Sequence, residues 1–247
     1  MKIIRWQILL GILLIILSIA VYFIHFLIFR DTHHILIYLI GDIAFVFFEI
    51  LLVTLVIHSL LNKKEMQEKL EKLNMLIGVF FSVVGVKLLT VFSDADPNLE
   101  NINKKLLINE KWTDDNFNKI SKQLKNEKYK IDVNKIELLD IKEFVISQKD
   151  FLTRLLENPI LYEHESFTEL LRTVFHLYEE LEYRKNITKI KDSDKNHLRI
   201  DMERCYRHLV IQWLSYMQHL KNNYPYLFSL SMRTNPFDTN ASIEVKK

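Results

Sequence analysis

Cysteine is almost missing from this chain. A single residue, Cys205, among 247 excludes an intramolecular disulfide framework and a cysteine-based zinc site, and is compatible with reducing surroundings. Glycine and proline are scarce as well, four of each. That removes collagen-like, glycine-linked and low-complexity disordered classes and makes a predominantly helical chain the expectation. Few glycines also leave few places for backbone to approach a phosphate closely, and there is no phosphate loop, dinucleotide fingerprint or G-x-S-x-G elbow. An excess of charge of one sign is missing too. The net charge is +2 with 26% charged residues, so no global field recruits nucleic acid, and a nucleic-acid partner is not expected. What the chain does have is apolar residues, 49% of the total, unevenly spread; its length allows one or two domains.

From Trp6 to Phe29 there is no Asp, Glu, Lys or Arg. At about 1.5 Å per residue this run rises roughly 36 Å, more than the hydrocarbon core of about 30 Å. Lys2 and Arg5 resemble the start of a secretory signal, but the run exceeds the usual roughly 7–15 apolar residues and no A-x-A-like site follows. A second run, Ile35 to Leu61, is interrupted only by Asp42, Glu49 and His58. Together they predict a transmembrane hairpin over 1–62, with helices at about 6–29 and 35–61 and a tight connector from Arg30 to His34. Lys2 and Arg5 precede the first helix, Arg30 alone lies between the two, and Lys63, Lys64, Lys69 and Lys72 follow. Because Lys and Arg resist translocation, both termini are expected in the cytoplasm of a multi-pass protein of the cell membrane.

A third run, Leu73 to Phe92, contains one charge, Lys87. Lying within a juxtamembrane segment 63–97, it reads as either a third span or a helix along the membrane surface. Two spans are favoured, because Lys87 would lie inside the run and the lysine-rich stretch from Asn62 to Lys72 continues the second helix without a turn residue. Gly78, Ser82 and Gly85 recur at steps of four and three, a face that lets another helix approach closely.

Ser93-Asp94-Ala95-Asp96-Pro97 marks a boundary, since Asp-Pro disfavours helix continuation. A cytoplasmic helical domain is expected over 98–237, followed by a solvated tail, 238–247. Thr113 can cap a helix reaching about Lys125, and a second helix runs from Asn134 to Glu157, stopped by Asn158-Pro159. Ser166 and Glu169 have capping-box spacing. Behind them Phe167, Leu170, Leu171, Val174, Tyr178 and Leu181 share one face. Ser193 or Asp194 caps a further helix with the stripe Leu198, Met202, Cys205, Leu209, Trp213, Tyr216 and Leu220, ending before Tyr224-Pro225-Tyr226. No window alternates apolar and polar residues convincingly, so no strands are predicted. The aromatic run Tyr224 to Phe228, followed by Asn235-Pro236-Phe237, is expected to fold back and close the domain, or to dock at a membrane surface or partner.

Several stretches carry a resemblance: Asp42-Ile43-Ala44-Phe45, Lys72 to Ser82, Leu156-Glu157-Asn158-Pro159, Glu163 to Leu171, Tyr224 to Leu230 and Arg233-Thr234-Asn235-Pro236-Phe237. In these the chain resembles a family of uncharacterised prokaryotic integral membrane proteins. The resemblance implies membrane anchoring plus a helical domain and no catalytic residues.

Candidate chemistry lies in three places. Asp42 and Glu49, about 700° apart around one helix, point to nearly the same side. They are either structural groups bonded to neighbours or the lining of an ion or proton pathway in an oligomer. His164 and Glu165, with Glu163 and His176, are imidazole and carboxylate groups able to ligate metal, and His197 with Asp201 could share an ion at i, i+4. Yet HExxH spacing is missing, His164 better suits the start of its helix, and neither a metal nor another cofactor is expected. Cys205 lies on an apolar stripe, as a small hydrophobe does. The expectation is an all-α, non-enzymatic, membrane-tethered interaction or regulatory protein. Its partners would be the lipid bilayer, further copies of itself and a cytoplasmic protein; an oligomeric cation or proton channel is the alternative.

Overall fold

The computed structural model describes residues 2–238 and 240–244, and the side chains among them except those of residues 2–5, 162 and 163. Contacts divide the chain into two units, Met1–Met66 and Gln67–Lys247. All regular structure among the described residues is helical, as the scarcity of glycine, proline and alternating patterns predicts.

The first unit contains α1 (Lys2–Phe29) and the start of α2 (Thr32–Phe80). The reversal between them takes only Arg30 and Asp31. Arg30 has φ 48°, and its N–H donates to the Phe26 carbonyl at 2.8 Å, which is the left-handed closure that ends many helices. Glycine usually fills that position because a Cβ costs roughly 1–2 kcal/mol there; here an arginine occupies it. Asp31 then caps α2, its Oδ1 accepting from the backbone N–H groups of His33 at 2.9 Å and His34 at 3.2 Å. Beside the turn, the His34 ring lies 5.9 Å from His25 and stacks on Phe29 at 6.2 Å. The connector is thus shorter than the five residues expected, because Thr32, His33 and His34 already belong to α2.

In the second unit, α2 gives way to a turn of π-helix at Phe81–Gly85 and then to α3 (Val86–Asp94). The Val86 N–H donates to the Phe81 carbonyl, five residues back, the pattern of a π-bulge. Gly85 is needed here: a Cβ on it would fall 2.5 Å from the Phe81 ring. There follow α4 (Leu99–Leu106), α5 (Asp114–Lys125), α6 (Leu138–Ser147), α7 (Lys149–Leu156), α8 (Glu165–Tyr183), α9 (Asp192–Asn223) and α10 (Pro225–Arg233).

α9 is the spine. α3, α5, α8 and α10 all pack on it, while α6 and α7 cover the far side of α8. Its buried residues include Leu198, Met202, Cys205, Tyr206, Leu209, Val210, Trp213 and Met217, more than one face of a helix can hold. The predicted stripe on α8 is also buried, at Phe167, Leu170, Leu171, Val174, Tyr178 and Leu181.

The run 73–92 differs from its expectation as a third span or surface helix. Leu73, Ile77, Phe80, Phe81, Val84, Leu88, Leu89 and Phe92 are buried in this protein core. The Phe80 ring meets Phe167 edge-on at 5.6 Å, and Phe81 stacks on Tyr216 at 5.5 Å. α8 and α9 cover one face of the segment, while Met75, Val79 and Val83 on the opposite face stay exposed. The helical unit accordingly starts near Gln67, not at residue 98, and the Asp96-Pro97 break is an internal turn.

One expected helix also differs. The stretch expected as one helix from Asn134 to Glu157 is a 3-10 turn, α6 and α7, bent at Gln148. Thr113 does cap α5, forming a reciprocal box with Asn116. The C-terminal segment folds back onto the domain. Phe237 meets Trp213 edge-on at 5.2 Å, and the buried Asn235 side chain donates to the Leu106 carbonyl at 2.9 Å while accepting from the Phe237 N–H at 3.0 Å. In the expected tail, Asn240, Ala241, Ile243 and Glu244 are exposed; Thr239 and residues 245–247 lie outside the described residues.

Gly78 lets α2 approach α9: a Cβ there would lie 2.8 Å from the Tyr216 hydroxyl oxygen but at an ordinary 3.4 and 3.5 Å from its ring carbons. Gly78→Ala gains about 0.5–1 kcal/mol of intrinsic helix preference and loses about 1–3 kcal/mol to the clash, so we expect net destabilisation. In a Tyr216→Phe background, which removes the oxygen, the same change should stabilise the protein. Thermal unfolding of the four combinations would show this reversal of sign; equal effects in both backgrounds would refute the contact.

Candidate functional site

In the first unit, Asp42 is engaged within its own chain, its Oδ2 accepting from the Tyr22 hydroxyl of α1 at 3.3 Å. Glu49 is exposed and makes no hydrogen bond or ion pair among the described residues. The two carboxylates are therefore not equivalent: one is satisfied by the hairpin itself and the other is left unpartnered. Of the three small residues expected to receive another helix, Gly78 faces Tyr216 and Gly85 faces Phe80 and Phe81, both inside the second unit. Ser82 is exposed.

The structure does not bring His164, Glu165 and His176 together. His164 precedes α8 and His176 lies twelve residues further along, about 18 Å at the helical rise. The His164 ring is instead the cap of α8: its Nδ1 accepts from the Phe167 N–H at 3.2 Å. Ser166, expected as the cap, lies inside the first turn and donates to the Gln212 side chain of α9 at 3.0 Å. Burial pushes the His164 imidazole below its ordinary range, keeping it neutral so that Nδ1 can accept. The side chain of Glu163 lies outside the described residues. Cys205 is fully buried, and burial raises its thiol to about 12, which disfavours the thiolate.

His176 belongs to a different cluster, where α8 and α9 run side by side. α8 presents His176 and Glu180, and α9 presents His197 and Asp201, each pair at i, i+4 and so on one face of its helix. One donor atom from each of His176, Glu180 and Asp201 lies within 4.8 Å of the others. His197 Nε2 completes the ring, 3.3 Å from Asp201 Oδ2 and 3.5 Å from Glu180 Oε2. His176 Nε2 is 3.7 Å from Asp201 Oδ1 and 3.9 Å from Glu180 Oε1. Asp201 is only 3% exposed, and its Oδ2 has no hydrogen bond.

Two guanidiniums each hold one oxygen of these carboxylates. Arg184 Nη1 contacts Glu180 Oε2 at 2.6 Å and also clasps Asp194 through Nε at 3.0 Å and Nη2 at 2.6 Å. Arg204 Nη1 donates to Asp201 Oδ1 at 3.0 Å. The Arg184 contact keeps the Glu180 carboxyl below the usual carboxylate range, so it is ionised at neutral pH. Asp194, expected as a helix cap, serves as an ion-pair partner instead. Glu203, also on α9, is occupied by Arg199 at 2.5 Å and the Ile131 N–H at 3.1 Å.

These features define a class: two long apolar N-terminal helices in one unit, and an all-helical second unit organised on α9. Residues 69–233 match the family model described as Uncharacterized protein MJ1433, C-terminal helical domain, and residues 2–61 match that described as MJ1433, N-terminal helical domain. A relative from Methanocaldococcus jannaschii, described as Uncharacterized protein MJ1433, is 47% identical over 239 residues, covering 97% of this chain and 96% of its own. The chain belongs to this family of uncharacterised proteins. No solved structure matches it. The second family segment begins at residue 69, beside the structural division at Gln67.

The His164 cap has a testable pH signature. Its imidazole titrates below the unfolded value, so the cap's stabilisation is present above the ordinary imidazole range and is lost as pH falls through the lowered folded value. His164→Ala should cost about 0.5–2 kcal/mol at pH 8, and His164→Asn, which can also cap, should cost less. Denaturant unfolding across pH 5–8 would check both; an equal loss for the two variants would count against the cap.

Proposed function

We propose that this protein is a multi-pass membrane protein whose N-terminal hairpin anchors the helical domain on the cytoplasmic side, and that it acts by binding and self-association, not by catalysis. The observation that carries this reading is exposure. Neither Trp6–Phe29 nor the most apolar stretch of α2 has a single buried side chain, although both are long enough to cross the hydrocarbon core. In water such a surface would far exceed the few hundred Å² of contiguous apolar patch that soluble monomers carry. Lipid is the environment that removes this cost. Orientation rests on the lysines after Leu61 and the lone Arg30 at the turn.

Self-association follows from Glu49. A carboxyl within an apolar membrane helix is costly unless it meets a polar partner, and this one has none among the described residues of its own chain. A second copy of the hairpin supplies such a partner. The pairing of Asp42 with Tyr22 favours a structural role for these carboxylates over an ion pathway. A cytoplasmic protein partner is part of the proposal.

The protein should remain with membranes through alkaline carbonate extraction, and light scattering in detergent should give a mass above one chain. Glu49→Leu should lower the oligomeric fraction while leaving the melting of the helical domain unchanged. Release by carbonate, or a monomer before any mutation, ends the corresponding half of the proposal. Liposomes bearing wild type or the Asp42→Asn, Glu49→Gln double variant should pass no ion current; a current lost only in the double variant would make the channel the correct reading.

A further inference from the structure

Two helices that pack side by side usually fill their shared face with apolar groups, and most of the α8–α9 contact does so. At its loop end it holds instead His176, Glu180, His197 and Asp201. Three features of this cluster set it apart from a surface ion-pair network. First, the spacing His-x-x-x-Glu on α8 is matched by His-x-x-x-Asp on α9, so four donors converge from two rigid elements. Second, the four imidazole-to-carboxylate separations run from 3.3 to 3.9 Å, and none closes to a hydrogen bond. Donor-to-metal bonds of about 2.0–2.2 Å in a tetrahedron place ligand atoms about 3.3–3.6 Å apart; His176, Glu180 and Asp201, with one donor atom each within 4.8 Å of the others, lie near that spacing, and His197, beside the other oxygen of each carboxylate, is the fourth ligand at hand. Third, Asp201 is 3% exposed and its Oδ2, which faces His197, lacks any hydrogen bond. A buried carboxylate oxygen without a partner is costly, and a cation in the ring would satisfy it.

We propose that His176, Glu180, His197 and Asp201 form a binding site for one divalent transition-metal ion that clamps α8 to α9. Two imidazoles with two carboxylates select a borderline cation such as zinc or cobalt(II) over manganese(II), calcium or magnesium, which prefer oxygen-rich shells. Four protein donors complete a tetrahedron and leave no open position, so the ion is structural or regulatory and not a reaction centre. The surrounding charge permits this. Three carboxylates, Glu180, Asp194 and Asp201, face two guanidiniums, Arg184 and Arg204, leaving one net negative charge beside the cation. The guanidiniums hold the carboxylates in place, as outer partners do in metal sites. The His176 and His197 side chains are 44% and 52% exposed, so the ion enters from solvent. This inference stands apart from membrane anchoring.

The test uses the full-length protein in detergent, stripped of metal and free of any histidine tag, with zinc, cobalt(II) and manganese(II) as probes. We expect one zinc per chain to persist through gel filtration and to raise the melting temperature. Cobalt(II) should give the intense visible absorption of tetrahedral coordination. Since losing an outer partner alone costs about 10–100-fold in affinity, His176→Ala and His197→Ala should each weaken zinc binding by at least about 10-fold. Both side chains are half-exposed, so these variants keep the fold. His33→Ala with His34→Ala, at the hairpin turn, should bind as wild type does. Absence of bound metal and of a cobalt spectrum would overturn the site, as would full binding by the His176→Ala, His197→Ala double variant.

Discussion

The second unit depends on keeping more than one face of a single long helix out of water. α9 buries residues on more than one face, Tyr206 and Trp213 among them, and each buried face must be covered by another element. That requirement places α3, α5, α8 and α10 around it. It also explains why the apolar run after Gln67 serves as a wall of this enclosure. The aromatic pairs Phe81–Tyr216, Phe92–Tyr206 and Trp213–Phe237 each bring a different segment onto α9. Asn235 closes the last gap by meeting the otherwise buried Leu106 carbonyl.

Polar groups inside this enclosure follow the same logic in reverse. Asp201 and Gln212 are the buried polar residues of α9, and both face α8. Gln212 is satisfied by Ser166. Asp201 is satisfied on one oxygen by Arg204 and left open on the other. A long helix contact that is apolar through its middle and polar at its loop end has its register fixed, because any slide would bury a charge against leucine.

Much of this was legible in the sequence wherever a signal is local. The period of the α8 stripe, the Thr113 cap, the stop at Tyr224-Pro225 and the lack of strands could all be read from neighbouring residues. What was not legible depends on which distant surfaces meet. Residues 73–92 have the apolarity of a membrane segment, and nothing within the run says that α8 and α9 will cover it. The His164 cap was half visible, as a residue fixing a helix start; a serine two residues later offered a more usual cap, and Gln212, far along the chain, drew that serine away. His197 and Asp201 could be paired by spacing. Their meeting with His176 and Glu180 required the α8–α9 crossing, although the twice-used i, i+4 spacing was a signal in plain view.

The π-turn at Phe81–Gly85 has a consequence for how this chain tolerates change in length. One extra residue accommodated within a helix acts as a phase shifter: everything after it is rotated by about 100° relative to an uninterrupted α-helix. Ahead of it, Phe80 and Phe81, adjacent in sequence, both point inward, one toward α8 and the other toward α9. Loss of a single residue there would restore a regular helix and leave Leu88, Leu89 and Phe92 facing the core, whereas straightening the turn with every residue kept would rotate all three away by about 100°. The helix is keyed like a lock cylinder, in which one tooth sets the angle of all that lies behind it.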